Sequence, residues 1–354
     1  MSLSNTVLVT GASGFIALHV IDLLLSKNYP VIGTARTQEK ADFVVSRFKI
    51  KYPNANIKVV IVKNIAIPNA FDSIFKENKD IKYVIHVASP VDFTQTGDSE
   101  EYFLKPAVNG TLNILNGIKN FAPQVIRVVI TSSMAAVAEH SSFSDALFIC
   151  SEEIWSPITW DKAKDNNITA YMASKKYAEK TAWDFLKDEN PNFSLTTVIP
   201  PYVFGPQVFE DSLSKSLNET SKIIPEVLTR EDNQTDPNAF NNPSAISADV
   251  RDIALLHVLA IENDYSNKRL FIVQGKFSGQ EILNIANEHF PELKGKIPKG
   301  VPNAVEDHHD HTFGYNCDAT LKLTGIKLIY LEKTVADVIQ QILNYQKKTG
   351  KQII

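Results

Sequence analysis

Residues 6–20 read TVLVTGASGFIALHV. A β-branched run ends at Gly11, a second glycine follows at Gly14, and an apolar helical pattern starts at once. Few features constrain a chain more. The first glycine permits a tight turn. The second lets backbone approach a pyrophosphate at the helix N-terminus, where N–H groups and the dipole favour anions. Ala17 fills the third small position. Gly-x-x-Gly-x-x-Ala is weak alone, but strong between a strand and a helix at the start of a βαβ unit.

The pattern after the turn agrees. Residues 30–36, 57–64, 82–88, 126–133 and 194–206 are short, apolar runs, the last broken by two prolines. Strands of this kind suit a parallel sheet covered on both faces. Helical patterns lie between them at 17–28, from about residue 38, and at 70–78, 100–120 and 170–188. The alternation predicts an α/β protein with a Rossmann-type doubly wound parallel sheet. Texture changes after Pro206, where 207–245 is polar and rich in Asn, Ser, Asp and Pro. A helix over 249–262, a strand over 268–275 and helices near 279–289 and 334–348 follow. The expected organisation is a nucleotide-binding domain over 1–200 and a smaller C-terminal substrate-binding lobe over 201–354. Segments near 246–275 are expected to return to the sheet.

Composition excludes several classes. The 354 residues are 44% hydrophobic and 21% charged, with net charge −4. No polybasic run calls for nucleic acid or a membrane surface. No apolar stretch nears the ~20 residues of a bilayer span. Two cysteines, Cys150 and Cys317, make no disulfide framework, so a reducing compartment is expected. The start, MSLSNTVLVTG, lacks a basic n-region and reads as a strand, not a signal peptide. A cytoplasmic location is the expectation.

Two further features carry chemistry. NAD-binding versions of the glycine turn place an acidic residue at the end of the second strand for the ribose 2′-hydroxyl. Here that stretch is TARTQEK, with Arg36 and Lys40. Two cations would clamp a 2′-phosphate, so NADP(H) is the expected cofactor. The second is AYMASKKYAEK, which holds Tyr171 and Lys175 four apart. With 11 Tyr and 30 Lys, about one such pair is expected by chance, the false-positive risk of any short motif. On a helix, however, Tyr171, Lys175, Ala178, Ala182, Phe185 and Leu186 share one arc. The arc is mostly small and apolar, so it should face the sheet, and a lysine there needs a reason. A cation beside a phenol favours the phenolate. The phenol could then give a proton to a carbonyl oxygen as hydride arrives at carbon. A hydroxyl should hold that oxygen, and Ser132 and Ser133 stand at a strand's carboxyl end, where such sheets bind ligands.

These motifs, with IKYVIHVASPV, PAVNGT, RVVITSSMAAV, PYVFGPQ, DVRDIA and FPELKG, resemble the extended short-chain dehydrogenase/reductases. The likeness is to the dihydroflavonol-4-reductase-like branch, with its yeast NADPH-dependent methylglyoxal and carbonyl (aldehyde) reductases, and it covers almost the whole chain. The resemblance implies Ser133 as the oxygen-holding serine, Tyr171 as proton donor and Lys175 as activator that also binds the nicotinamide ribose. Asn109 matches an asparagine linked to a proton relay. A cofactor set is implied at Gly11, Ser13, Gly14, Phe15, Ile16, Arg36, Lys40, Asn64, Ile65, Ala88, Ser89, Thr131, Tyr171, Lys175, Pro200 and Val203. Substrate contacts are implied at Phe93, Met134, Val137, Ala138, Tyr202 and Phe204. Two positions depart from the pattern. Asn64 stands where relatives have an Asp for the adenine amino group, and Met134 where many have an aromatic.

The cluster EDHHDH at 306–311 has zinc-ligand chemistry, but its surroundings read as loop, and no metal is assigned. Cys150 lacks the partnered histidine a thiol nucleophile needs. The expected activity is NADPH-dependent reduction of small uncharged aldehydes and ketones by a monomer or homodimer. The competing readings are an NAD-dependent nucleotide-sugar epimerase or dehydratase of the same fold, and a non-enzymatic NADPH-sensing module.

Overall fold

The computed structural model describes residues 5–89, 97–164, 166–214 and 217–354. The chain divides into two compact units. The first comprises residues up to His140, then Ser151–Ile199 and Ala254–Phe271. The second comprises Ser141–Cys150, Pro200–Ile253 and Ile272–Ile354.

The first unit is built on a seven-stranded parallel sheet. Its strands are β1 (Thr6–Thr10), β2 (Val31–Ala35), β3 (Ile57–Ile61), β4 (Ile81–His86), β5 (Arg127–Thr131), β7 (Ser194–Ile199) and β10 (Lys268–Phe271), in the order β10-β7-β5-β4-β1-β2-β3. Val7, Leu8, Val9, Val84, Ile85, Val128 and Val129 are wholly buried. Helices cover both faces, so the strands can be apolar on both sides without alternation. The helices are α1 (Phe15–Ser26), α2 (Gln38–Lys51), α3 (Asp72–Glu77), α4 (Lys105–Phe121) and α5 (Asn167–Glu189). A wider π-type turn over Glu100–Leu104 leads into α4. One core cluster joins Leu8, Phe71, Ile74, Phe75, Val84, Ile114, Ile118 and Val128 between sheet and helices. Strand order reverses between β1 and β4, and outside the carboxyl ends at such a switch point open α/β sheets bind ligands.

The second unit holds a three-stranded sheet. β9 (Ala245–Asp249) lies between β8 (Tyr202–Phe204), parallel to it, and β11 (Gly275–Phe277), antiparallel. β6 (Ile149–Cys150) and β12 (Gly314–Tyr315) form a two-stranded pair. Asp249 anchors a polar knot. It accepts from Arg251 through both carboxylate oxygens, and Thr334 donates to it at 2.8 Å. Arg251 also reaches Asp337 at 2.6 Å. The helices over Gly279–His289 and Leu331–Thr349 bury Leu283, Val335, Val338, Ile339 and Ile342.

One expectation needs correcting. The histidine cluster is not loop: Val305–Asp310 forms a short helix, and His311 follows it directly. Lys276 supports this segment by donating to the carbonyls of His309 and Thr312. Among the described residues, no group of three or more His, Cys, Asp or Glu is placed to hold a metal ion. No described helix is long and apolar enough to cross a membrane.

Candidate active site

β1 delivers Thr10 and then Gly11 to the switch point. Gly11 has φ +69°, a conformation glycine adopts at no steric cost. A side-chain carbon there would stand 3.1 Å from the Cα of Ala88, so the turn packs closely against the segment that follows β4. The Gly14 N–H donates to the Gly11 carbonyl at 2.8 Å. Gly14 then caps α1 in an extended conformation, and no side chain accepts from the first turn. The N–H groups of a helix start are thereby left for an outside acceptor. Ser13, Phe15 and Ile16 are half-buried around that start, and Ala17 packs wholly inside.

Thr10 locks the end of β4 to the end of β1. Its hydroxyl accepts from the Val87 and Ala88 N–H groups at 3.1 and 3.0 Å. Its own proton is therefore left for His86 Nδ1, 2.9 Å away. Burial pushes the His86 imidazole down to about 3, and the nearby Lys175 cation adds to the fall. His86 is thus a neutral, oriented ring beside the candidate catalytic lysine, a role its sequence context does not reveal. Ala88 and Ser89 follow, half-buried.

At the end of β2, Arg36 and Lys40 are both exposed. Thr37 caps α2 by accepting from the Lys40 N–H at 3.3 Å. Neither cation pairs with a carboxylate among the described residues, so both remain available to an anion. Beyond β3, Asn64 is exposed, and its side-chain oxygen accepts from the Ala66 N–H at 2.9 Å. Ile65 is half-buried and packs where Gly110 leaves room, since a side-chain carbon at Gly110 would lie 2.7 Å from Ile65 Cδ1.

β5 ends in the two serines, and their partners differ. Ser132 is buried, and its hydroxyl donates to Glu179 at 2.5 Å. Ser133 is half-buried. It caps the 3-10 turn Met134–Ala136, accepting from the Ala135 N–H at 3.2 Å, which leaves its own proton for donation. Thr131, just before, has its hydroxyl 2.7 Å from His257 Nε2. Met134 is 4% exposed, and Val137 and Ala138 are wholly buried.

Helix α5 carries the other two residues. Asn166 caps it, accepting from the Thr169 N–H at 2.9 Å. Tyr171 is half-buried, and the Lys175 Nζ lies 5.5 Å from its ring centroid. Lys175 is only 8% exposed. Burial pulls its ammonium down to about 8. The buried face is broader than the expected arc: Met172, Ala173, Ser174 and Glu179 are also inside, while Ala178 and Leu186 are only half-buried. Asn109 stands exposed on α4.

Pro200, Tyr202, Val203 and Phe204 belong to the second unit. Phe204 is wholly buried, and both Tyr202 and Phe204 meet the Phe277 ring edge-on, at 5.5 and 4.8 Å. Phe93 lies outside the described residues.

The site therefore combines an uncapped helix start, two unpaired cations, a donor serine, and a phenol beside a desolvated ammonium. Known proteins of the same build match nearly the whole length of the chain. The Saccharomyces cerevisiae protein YGL039W, which carries the general name oxidoreductase, is 44% identical over 98% of this chain and 99% of its own. The NADPH-dependent methylglyoxal reductase GRE2 of Saccharomyces cerevisiae is 40% identical over 96% of this chain and 99% of its own. The crystal structure of yeast methylglyoxal/isovaleraldehyde reductase Gre2 complexed with NADPH superimposes with a TM-score of 0.88 at 38% identity, covering 97% of this chain and 99% of that one. A model of the NAD dependent epimerase/dehydratase family matches residues 7–273. The chain belongs to that family.

Proposed function

We propose that this protein is an NADPH-dependent reductase of small, uncharged aldehydes and ketones. The observation that carries the reading is Lys175, a nearly buried lysine beside the Tyr171 ring on the helix that also reaches the serine end of β5. Burying an ammonium is costly, and proton chemistry gives this one a purpose. When bound, NADPH supplies the hydride. The residues present fit such a group: the uncapped start of α1 suits a pyrophosphate, and Arg36 with Lys40 suits a 2′-phosphate.

In this reading Ser133 donates to the carbonyl oxygen and holds it. Tyr171 gives that oxygen its proton as charge develops there. Lys175 lies beside the phenol and, while charged, favours its ionised form. The same fold serves nucleotide-sugar enzymes that need cations to grip a diphosphate. Here the arginines best placed in sequence for that are engaged. Arg230 donates to the Asn242 carbonyl, Arg251 pairs with Asp249 and Asp337, and Arg269 pairs with Glu179. The Saccharomyces cerevisiae reductase Gre2 named above, NADPH-dependent by name and solved as an NADPH complex, supports the reductase reading.

The test follows the nicotinamide absorbance with NADPH or NADH and a branched aliphatic aldehyde. NADPH should be consumed preferentially at subsaturating concentration, and Arg36→Asp should sharply raise KM for NADPH while relatively favouring NADH. A wild-type preference for NADH would sink the clamp, and an inert protein would sink the reductase.

A further inference from the structure

Glu179 is a buried, heavily engaged carboxylate of the first unit. Its side chain is 0% exposed. Oε1 accepts from Thr197 Oγ1 at 2.8 Å, Arg269 Nε at 2.8 Å and Trp183 Nε1 at 3.2 Å. Oε2 accepts from Ser132 Oγ at 2.5 Å and Arg269 Nη2 at 3.3 Å. Five donors converge on one carboxylate, and they come from three strand segments and its own helix.

The guanidinium it pairs with is equally committed. Arg269 is on β10, with its side chain 12% exposed. Its Nη1 donates to the Glu152 and Ile154 carbonyls at 2.6 and 2.7 Å, and its carbon stands 3.8 Å from the centre of the Trp155 ring. Residues 152–155 belong to the segment that leads into α5. The ion pair therefore ties α5 to β5, β7, β10 and its own approach.

Position gives the pair its meaning. Glu179 is one helical turn beyond Lys175 and two beyond Tyr171. Ser132 is the residue before Ser133. Consecutive side chains on an extended segment point to opposite sides, so holding Ser132 inward sets Ser133 outward. A buried ion pair is poor evidence for stability, because desolvation offsets its attraction. What it supplies is a fixed geometry between partners. We propose that Glu179, held by Arg269, is a positioning residue that sets the Ser133 hydroxyl relative to the Tyr171–Lys175 helix through its bond to Ser132. The proposal rests on the catalytic reading above.

Ser132→Ala is the discriminating variant. It removes one hydrogen bond, adds no bulk and leaves the ion pair intact. Turnover per NADPH-binding site, with sites counted by fluorescence titration, should fall about tenfold, well within what a displacement near 1 Å costs. KM for NADPH and the number of sites should stay as in the wild type. Ser132→Thr, which keeps the hydroxyl, should recover most of the loss. Glu179→Gln should lose more than Ser132→Ala, if it folds. Purely structural damage would lower the number of sites and leave turnover per site unchanged, and that result overturns the proposal. Tyr171→Phe runs beside it. If Tyr171→Phe is inactive while Ser132→Ala turns over normally, the positioning role alone falls. If Tyr171→Phe is active, there is no proton donor to align, and both readings fall.

Discussion

Tyr171→Phe removes one oxygen and keeps the ring that packs beside Lys175. If that oxygen carries the proton, turnover should drop ~10²-fold or more, the scale of a lost general acid. NADPH binding, followed by fluorescence, should be nearly unchanged, and near-normal turnover would refute the role. Lys175 allows a second test, independent of catalysis. Its ordinary value is 10.5, and burial brings it to about 8 in the folded chain. The unfolded chain therefore binds more protons between those values, and the stability contributed by this group rises with pH across that window. Below pH 8 the full burial cost is present, on the order of 3 kcal/mol at 1.36 kcal/mol per unit. Lys175→Met removes it. In the cofactor-free protein the variant should be more stable than the wild type at pH 7, by an amount that shrinks between pH 8 and 10. Denaturant midpoints for both proteins at pH 7 and 9.5 measure this, and a gain that does not change with pH contradicts it.

At the scale of elements, the cofactor turn depends on how closely β1 and β2 can run. Gly33 in the middle of β2 is the narrow point. A side-chain carbon there would lie 2.8 Å from Cβ of Ala12 and 3.1 Å from Val59 Cγ2. Ala12 stands between the two turn glycines, and its N–H donates to the Thr34 carbonyl at 2.8 Å. Gly33→Ala should thus push on the turn itself, costing about 1–3 kcal/mol as overpacking does. It should also raise KM for NADPH more than KM for the carbonyl. An unchanged KM for NADPH would show that the turn does not feel β2. The same elements explain what could be read in advance. Strands buried on both faces leave continuous apolar runs, so β1, β2, β4 and β5 were legible to within a residue or two, and the glycine turn located the switch point. Glu179 was not legible, because a carboxylate on a helix reads as surface until its partner, Arg269, is known to be beside it. His86 was hidden for the same reason: only the fold brings it to Thr10 and Lys175. The helix at 305–310 was missed because its histidines and acidic residues give no apolar stripe to mark a period.

Across the whole molecule, the disposition of cations argues for a class of substrate. The chain has six arginines and a net charge of −4. Arg127 donates to the Ile261 carbonyl, Arg230 to that of Asn242, Arg251 is held by two aspartates and Arg269 by Glu179. Arg47 lies over the Phe43 ring on α2, and Arg36 stands at the end of β2. Ser133 is followed in the chain by Met134 and, a turn later, Val137 and Ala138, all buried and apolar. With four of the six arginines engaged in this way, they offer a 2-oxo acid no free guanidinium for a bidentate grip on its carboxylate. An unpaired charge in such surroundings costs about 3 kcal/mol or more, which is roughly 10²-fold in rate. Branched aliphatic and aryl aldehydes or ketones should therefore exceed pyruvate-like anions in kcat/KM by at least that factor. If Met134 borders the reacting carbonyl, Met134→Ala should improve bulky ketones relative to small aldehydes. The measurement is kcat/KM over a size series with both proteins. An unchanged ranking removes Met134 from the substrate's surroundings, and a wild-type preference for pyruvate-like anions refutes the preference for uncharged carbonyls.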